Sequence, residues 1–231
     1  MKTILIEAEA RAAALSGQAR ALERAAGQAP LAPDWMQSLG GPSVSVIAEV
    51  KRRSPSAGAI APGLDPADHA RKYEDGGARA ISVLTEERHF GGSLDDLARV
   101  RQAVRLPVLR KDFVLHPVQV YETRAAGASA VLIIVRAVPA NALRSLVALA
   151  HEVGLAALVE VHTRGELGAA LAAGARIVGV NNRDLDTFHV DVDGAAGVLR
   201  AIPEGILAVA ESGIADRAGV EKAASWGADA V

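Results

Sequence analysis

The chain has 231 residues, is half hydrophobic, carries a formal charge of −2 and contains no cysteine. That length bounds the fold to one large domain or two small ones, and a near-neutral balance without basic runs gives no support for nucleic acid or a membrane surface. Disulfides and thiolate zinc sites are excluded, which suits the cytoplasm, and no apolar run approaches the ~20 residues of a spanning helix.

The chain opens on MKTILIEAEARAAAL, where charges follow a short apolar run too closely for a signal peptide. Residues 1–43 read as an Ala-rich helical extension that ends in a Pro/Gly-rich stretch near Pro30 to Pro42. From residue 44 to 231 one unit recurs: an apolar run, polar residues, an amphipathic helix, then Gly-Ala and the next run. The runs fall at 44–50, 78–84, 106–112, 128–134, 155–161, 175–182 and 206–212. Helical patterns lie between them at 66–77, 93–104, 118–127, 140–154, 164–174 and 216–227. Gly77, Gly127, Gly174 and Gly227 close four of these helices, as a left-handed C-cap does.

Alternating strand and helix units mean parallel strands, in an open doubly wound sheet or a (β/α)₈ barrel. The open sheet is announced by a phosphate or dinucleotide loop, and neither GxGxxG nor GxxxxGK[ST] occurs. The expected fold is therefore an α/β (β/α)₈ barrel with an N-terminal helical extension. Its eighth strand begins at ADAV (228–231), so the last β/α unit is expected to be truncated.

Chemistry in such barrels sits at the C-terminal strand ends. Those ends carry Glu49 and Lys51, Lys111 and Asp112, Glu160, Asn181 with Arg183, and Glu211 with Ser212. Glu49 and Lys51 point to one face because side chains alternate along a strand, which sets their Cα atoms roughly 7 Å apart. A single strand-end charge is usually solvated, but five strands ending in charged or amide groups on one rim would line a common pocket. Lysine among glutamates stays protonated, ready to give a proton or hold an anion; a glutamate serves as base or, when protonated, as acid. Asn181 and Ser212 suit positioning. Ser54-Pro-Ser56 and Ser212-Gly213 offer small residues for backbone approach to a phosphate, with Arg183 adding a fork of donors, although such dipeptides are more often plain turns. Asp112 also reads as an ordinary cap. Phe90, Phe113, Leu132 and Ile134 fall near the rim and would cradle an aromatic ring or fill the core. The histidines at 69, 89, 116, 151, 162 and 189 show no metal-ligand spacing; His162 is nearest a strand end, and a surface or core role fits each best.

The stretches IAEVKRRSPSAG (47–58), ISVLTEERHFGGSLDDL (81–97), PVLRKDFVLHPVQVYETRAAGASAVLII (107–134), ALVEVHTRGEL (157–167), IVGVNNRDLDTF (177–188) and AVAESGI (208–214) resemble the indole-3-glycerol phosphate synthases in order and spacing. The resemblance implies a phosphate-binding barrel. It would convert 1-(2-carboxyphenylamino)-1-deoxyribulose 5-phosphate to indole-3-glycerol phosphate, CO₂ and water, with neither metal nor organic cofactor. It assigns Lys111 as general acid on the ketone oxygen, Lys51 as holder of the departing carboxylate, and Glu160 as proton carrier in dehydration. Glu49 would orient Lys111 or a hydroxyl and assist as acid or base. Asn181 and Glu211 would bind the linker hydroxyls or anilino nitrogen. Ser54, Arg183, Ser212 and Gly213 would form the phosphate and positioning shell, with Phe90, Phe113 and Leu132 on the anthranilate ring.

The family continues beyond ADAV with a strand, a Gly-rich turn and a helix, so open edges are expected on the first and seventh strands. Two alternatives stand beside the synthase: another phosphate-binding barrel such as a phosphoribosylanthranilate isomerase, and a non-catalytic barrel serving as a binding or assembly module. Expected partners are a phosphorylated small molecule and, among proteins, a tryptophan-pathway enzyme or a second copy. Whether Trp35 closes the barrel bottom or reaches the site is open from sequence.

Overall fold

A computed structural model describes residues 2–183 and 192–231. Seven parallel strands form one sheet in sequential order. They are β1 (Ile47–Val50), β2 (Ala80–Leu84), β3 (Val108–Lys111), β4 (Ala130–Ile134), β5 (Ala156–Val161), β6 (Ile177–Asn181) and β7 (Leu207–Glu211). Helices alternate with them, and their starts are written locally. Asp65, Ser93, Thr163 and Asp216 each accept a backbone N–H in the first turn of the following helix. Gly77, Gly127, Gly174 and Gly227 take positive φ of 83–92°, as the sequence pattern requires.

Strand parity divides the buried residues into two cores. Ile81, Val83, Val108, Val131, Ile133, Val159, Val178 and Val180 face outward into the helices. Ala80, Leu109, Ala130, Leu132, Leu158, Ile177 and Val209 face inward and pack together. From β2 onward the strands are buried on both faces along most of their length, which explains why their runs read as continuously apolar rather than alternating, while β1 is only partly covered.

The expected open edges are bridged in part, which corrects that expectation. Residues 229–231 lie between β7 and β1 and bond to both. Asp229 N–H donates to Ala208 O (2.8 Å) and Ala210 N–H to Ala230 O (2.9 Å). On the other side Ser45 N–H donates to Asp229 O (2.9 Å) and Ile47 N–H to Val231 O (2.8 Å). The physical reason is backbone satisfaction: three residues at the eighth-strand position give partners to β7 as far as Ala210 and to β1 as far as Ile47.

The N-terminal helices touch both ends of the barrel. Near the strand C-termini Arg11 donates to Glu86 Oε1 (3.1 Å) and Asp112 Oδ1 (2.9 Å). At the other end the short helix Trp35–Leu39, capped by Asp34, packs with Ala80, Ala130 and Leu207, the first residues of β2, β4 and β7. Ser45 Oγ donates to Leu39 O (3.0 Å) and ties that helix to the entry of β1. Trp35 therefore closes the bottom of the barrel. Among the described residues no helix is long and apolar enough to cross a membrane.

Trp35 is 1% exposed. Truncation to Ala is expected to cost about 3–5 kcal/mol of unfolding free energy in urea titration. A loss below ~1 kcal/mol would show that the plug is not part of the core.

Candidate active site

The inward residues nearest the C-terminal ends of β1, β3, β5 and β7 are Glu49, Lys111, Glu160 and Glu211. These are the odd-numbered strands, and side chains from alternate strands share one layer of a barrel. One layer below, the same strands supply Ile47, Leu109, Leu158 and Val209. The charged set is thus the layer where the apolar interior ends. Its members meet: Lys111 Nζ lies 3.1 Å from Glu49 Oε2 and 3.2 Å from Glu211 Oε2. Lys51 forms an ion pair with the other oxygen of Glu49.

Neighbouring residues hold this geometry. Arg110 points outward from β3 and binds Thr85 Oγ1 (3.1 Å), Glu122 (2.8 Å) and Asp112 (3.2 Å), which fixes the strand that aims Lys111 inward. Asp112 also accepts Phe113 N–H (2.8 Å) and Thr85 Oγ1–H (2.7 Å); it braces the rim, as its cap reading suggested. Arg52 clamps the loop after Lys51 to Asp96 and to Gly91 O (3.0 Å). Tyr73 Oη donates to Glu49 O (3.3 Å).

The electrostatics follow from burial. Desolvation would raise the Glu49 carboxyl, but Lys111 and Lys51 beside it hold it down at about 2. Burial would lower the Lys111 ammonium; Glu49, Glu211 and Glu160 outweigh that and hold it above the ordinary lysine range. Glu160, 2% exposed, is pushed up to about 7 by desolvation and then by Glu211, against the pull of Lys111, His162 and an Asn181 hydrogen bond. One carboxyl is locked ionised while another holds its proton near neutrality, the division of labour that acid–base chemistry needs.

All thirteen residues to which the resemblance assigns a role border one cavity of about 730 Å³ at this rim. Phe90 and Phe113 stand on one wall with ring centroids 6.4 Å apart, and Leu132 and Ile134 belong to the same apolar cluster. Ser54 lies on the small ribbon formed by Arg53–Ser54 and Gly58–Ala59, at the mouth. Arg183 N–H donates to Asn181 Oδ1 (3.0 Å). Ser212 has φ 67°, a left-handed backbone that a non-glycine residue rarely adopts, followed by Gly213 at φ 75°. Asn182 Nδ2 holds this turn by donating to Ser212 O (2.9 Å). Strain of this kind gathers at ligand-binding turns.

Gly179 escaped the sequence reading, and His162 was read there only as a surface or core residue. Gly179, inward on β6, has no side chain, and a Cβ there would collide with Glu211 Oε1. The glycine lets the Glu211 carboxylate lie across β6 and reach Lys111; its signal was a lone Gly inside an apolar strand. His162 is buried beside Glu160, with Nε2 at 3.7 Å from Glu160 Oε1. Of the other histidines, His189 lies outside the described residues. Among those described, Glu7, Glu86 and His89 bring ligand-type atoms together at the rim. Their atoms are engaged already: Glu86 accepts three backbone N–H groups of the helix Glu87–Phe90, and Glu7 pairs with Arg88 (2.6 Å) and His89 (2.8 Å).

A parallel strand-and-helix barrel with an acid–base layer at its C-terminal rim defines the class: a (β/α)-barrel enzyme. The family model for indole-3-glycerol phosphate synthase matches residues 2–231, and the chain belongs to that family. It is 52% identical over 210 residues to the indole-3-glycerol phosphate synthase of Mycobacterium avium, covering 91% of this chain and 77% of that one. The enzyme of the same name from Mycobacteroides abscessus matches at the same identity and coverage. Solved structures share the fold alone. An N-acetylmannosamine-6-phosphate 2-epimerase from Clostridium perfringens superposes with a TM-score of 0.64 at 15% identity, covering 86% of this chain and 88% of that one. A thiamine phosphate pyrophosphorylase from Pyrococcus furiosus gives 0.57 at 18% identity, covering 81% and 83%. The isomerase and assembly-module alternatives are not favoured by these findings.

Gly179→Ala is expected to drive Glu211 away from Lys111. kcat/KM should fall at least about tenfold while stability drops by only about 1–3 kcal/mol. Unchanged kinetics would show that Glu211 does not need the space.

Proposed function

We propose that the charged layer around Lys111 carries the reaction of the family. The chain is a carboxy-lyase of tryptophan biosynthesis: it closes the ring of 1-(2-carboxyphenylamino)-1-deoxyribulose 5-phosphate, giving indole-3-glycerol phosphate, CO₂ and water. The observation that carries the residue assignment is Lys111 Nζ seated between Glu49 and Glu211 at 3.1 and 3.2 Å.

Lys111 protonates the ketone oxygen, so that carbon accepts attack from the aromatic ring. Lys51, nearer the mouth, holds the carboxylate until it departs. Glu49 keeps the Lys111 ammonium charged and orients both lysines. Glu160 gives its proton to the hydroxyl that leaves as water. Asn181 and Glu211 hold the linker hydroxyls or anilino nitrogen. Phe90, Phe113 and Leu132 seat the anthranilate ring. Ser54, Arg183, Ser212 and Gly213 bind the phosphate, the strained turn offering backbone donors and Arg183 a guanidinium. The expected compartment is the cytoplasm, and a tryptophan-pathway enzyme or a second copy is the expected protein partner.

The first test incubates the 231-residue chain with the carboxyphenylamino-deoxyribulose phosphate and follows indole fluorescence. Turnover is expected; its absence from folded protein would count against the proposal. Lys111→Ala should lower kcat by about 10²–10⁴ without unfolding, and near-normal turnover in a folded variant would overturn its role.

pH gives a further check. A Glu160 that acts as acid with a value of about 7 loses its proton above that pH, so kcat should fall as pH rises through it. Glu160→Gln should lower kcat and abolish that limb. A limb that persists in the variant belongs to another group.

A further inference from the structure

The family reaction does not balance in protons inside the site. The carboxylate leaves as neutral CO₂, and its bonding pair stays with the ring. The ketone oxygen leaves as water and so takes up two protons. The CH₂–NH linker gives back one. Each turnover therefore draws one proton from water, yet Glu160 is 2% exposed and meets water only through the cavity that the substrate would fill.

We propose that His162 and Glu166 form the proton entry of the active site: Glu166 takes a proton from water and passes it to Nδ1 of His162, and Nε2 gives the proton it already carries to Oε1 of Glu160. The inference rests on the assignment of Glu160 as proton carrier and adds how that carboxylate is recharged. Each transfer breaks one O–H or N–H bond as it forms the next, and the ring, left with its proton on Nδ1, returns to the Nε2–H tautomer by rotation or exchange with water before the next turnover.

The geometry is that of a bridge. The His162 side chain is 6% exposed, with Nε2 at 3.7 Å from Glu160 Oε1 and Nδ1 at 3.4 Å from Glu166 Oε2. Among the described residues neither ring nitrogen has a well-aligned hydrogen-bond partner, the nearest acceptor being Glu166 Oε2 at 3.4 Å from Nδ1. Orphaned nitrogens on a buried ring cost stability, and a histidine kept only for packing would be expected to satisfy at least one. Both contacts are longer than hydrogen bonds, as catalytic contacts often are before substrate tightens them. Glu166 anchors the outer end: it accepts His162 N–H (2.7 Å) and the Arg136 guanidinium (3.1 and 3.2 Å). Its side chain remains 18% exposed, open to water.

Direction is built in as well. Burial would raise Glu166, but His162 and Arg136 hold it below the ordinary carboxylate range, whereas Glu160 is held above it. Proton affinity therefore increases from the outer carboxylate to the inner one. Among the described residues, the charged groups bearing on the ring are Glu160 and Glu166 directly, Arg136 behind Glu166, and Lys111 and Glu211 beyond Glu160. His162 contacts no reacting atom; it is a relay and positioning residue.

The test uses the full chain and compares kcat and KM of the wild type, His162→Ala, Glu166→Gln and Glu160→Gln at fixed pH and ionic strength over a series of imidazole concentrations. His162→Ala is expected to lose at least about tenfold in kcat with KM within about twofold. Added imidazole should restore its kcat saturably and leave the wild type unaffected. Glu166→Gln, which still accepts the His162 N–H, should show a smaller loss with the same buffer dependence. If His162→Ala does not fold, Glu166→Gln decides alone: buffer-dependent kcat supports the relay and buffer-independent kcat overturns it. Unchanged kcat in both variants, or a loss imidazole leaves untouched, also overturns it. A silent Glu160→Gln beside a fully active His162→Ala breaks the relay only, whereas a fully active Glu160→Gln removes the role of Glu160 and the relay with it.

Discussion

A lysine ammonium inside a barrel sets the terms for everything around it. Unpaired, a buried charge of this kind costs several kcal/mol, and its usual escape is to lose the proton. Lys111 does neither, because Glu49 and Glu211 reach it at 3.1 and 3.2 Å and Glu160 adds its field. The reverse also holds. With Lys51 the layer has two cations against three carboxylates, so one carboxylate is in excess. The excess falls on Glu160, the member farthest from solvent and without an ion pair to either lysine. A proton held there makes the layer neutral. The perturbed Glu160 is set first by its burial and then by Glu211, with Lys111 pulling the other way.

Strand parity converts this into a fold requirement. Lys111 points inward only because Arg110 points outward, and Arg110 is tolerated outside because Thr85, Glu122 and Asp112 satisfy it. A one-residue slip of β3 would put the guanidinium into the site and the ammonium among the helices. Gly179 plays the complementary part. In a layer built from the odd strands, an even strand must stay out of the way, and β6 does so by presenting no side chain at all where Glu211 passes. Catalytic geometry and barrel geometry are therefore one constraint read at two heights: Leu109 and Leu158 fill the layer that Lys111 and Glu160 crown.

Much of this was legible in the chain. The apolar runs, the helix-closing glycines and the polar residues at five strand ends depend on local chemistry, and local chemistry is written in order along a sequence. That the strand ends converge was also legible once parallel strands were inferred, since a barrel has one C-terminal rim. The resemblance to a family supplied the roles. The remainder depends on distances between residues far apart in the chain. Gly179 acquires meaning only through Glu211, 32 positions later, which crosses it. His162 looked like any strand-end histidine until the turn into the helix Arg164–Ala172 folded Glu166 back over it. The bridging of β1 and β7 by residues 229–231 needed the edge geometry of both strands. Trp35 was ambiguous because an amphipathic turn before the barrel fits either end; Ser45 and Leu39 settle it at the bottom.

Glu49 has a place in the charge pattern that the proposed roles make sharper. Each of its oxygens faces a different lysine, Oε1 toward Lys51 and Oε2 toward Lys111. In the proposed reaction a substrate carboxylate drawn to Lys51 would compete for the first ammonium and not the second. Glu49 would then lose one partner and lean on the other, Lys111, as the ketone arrives beside it. When the carboxylate left as neutral CO₂ the competition would end and Lys51 would return to Glu49. An ion pair between a strand-end glutamate and a lysine two residues on, ordinary on a protein surface, would in the barrel mouth let substrate charge be felt at the proposed general acid.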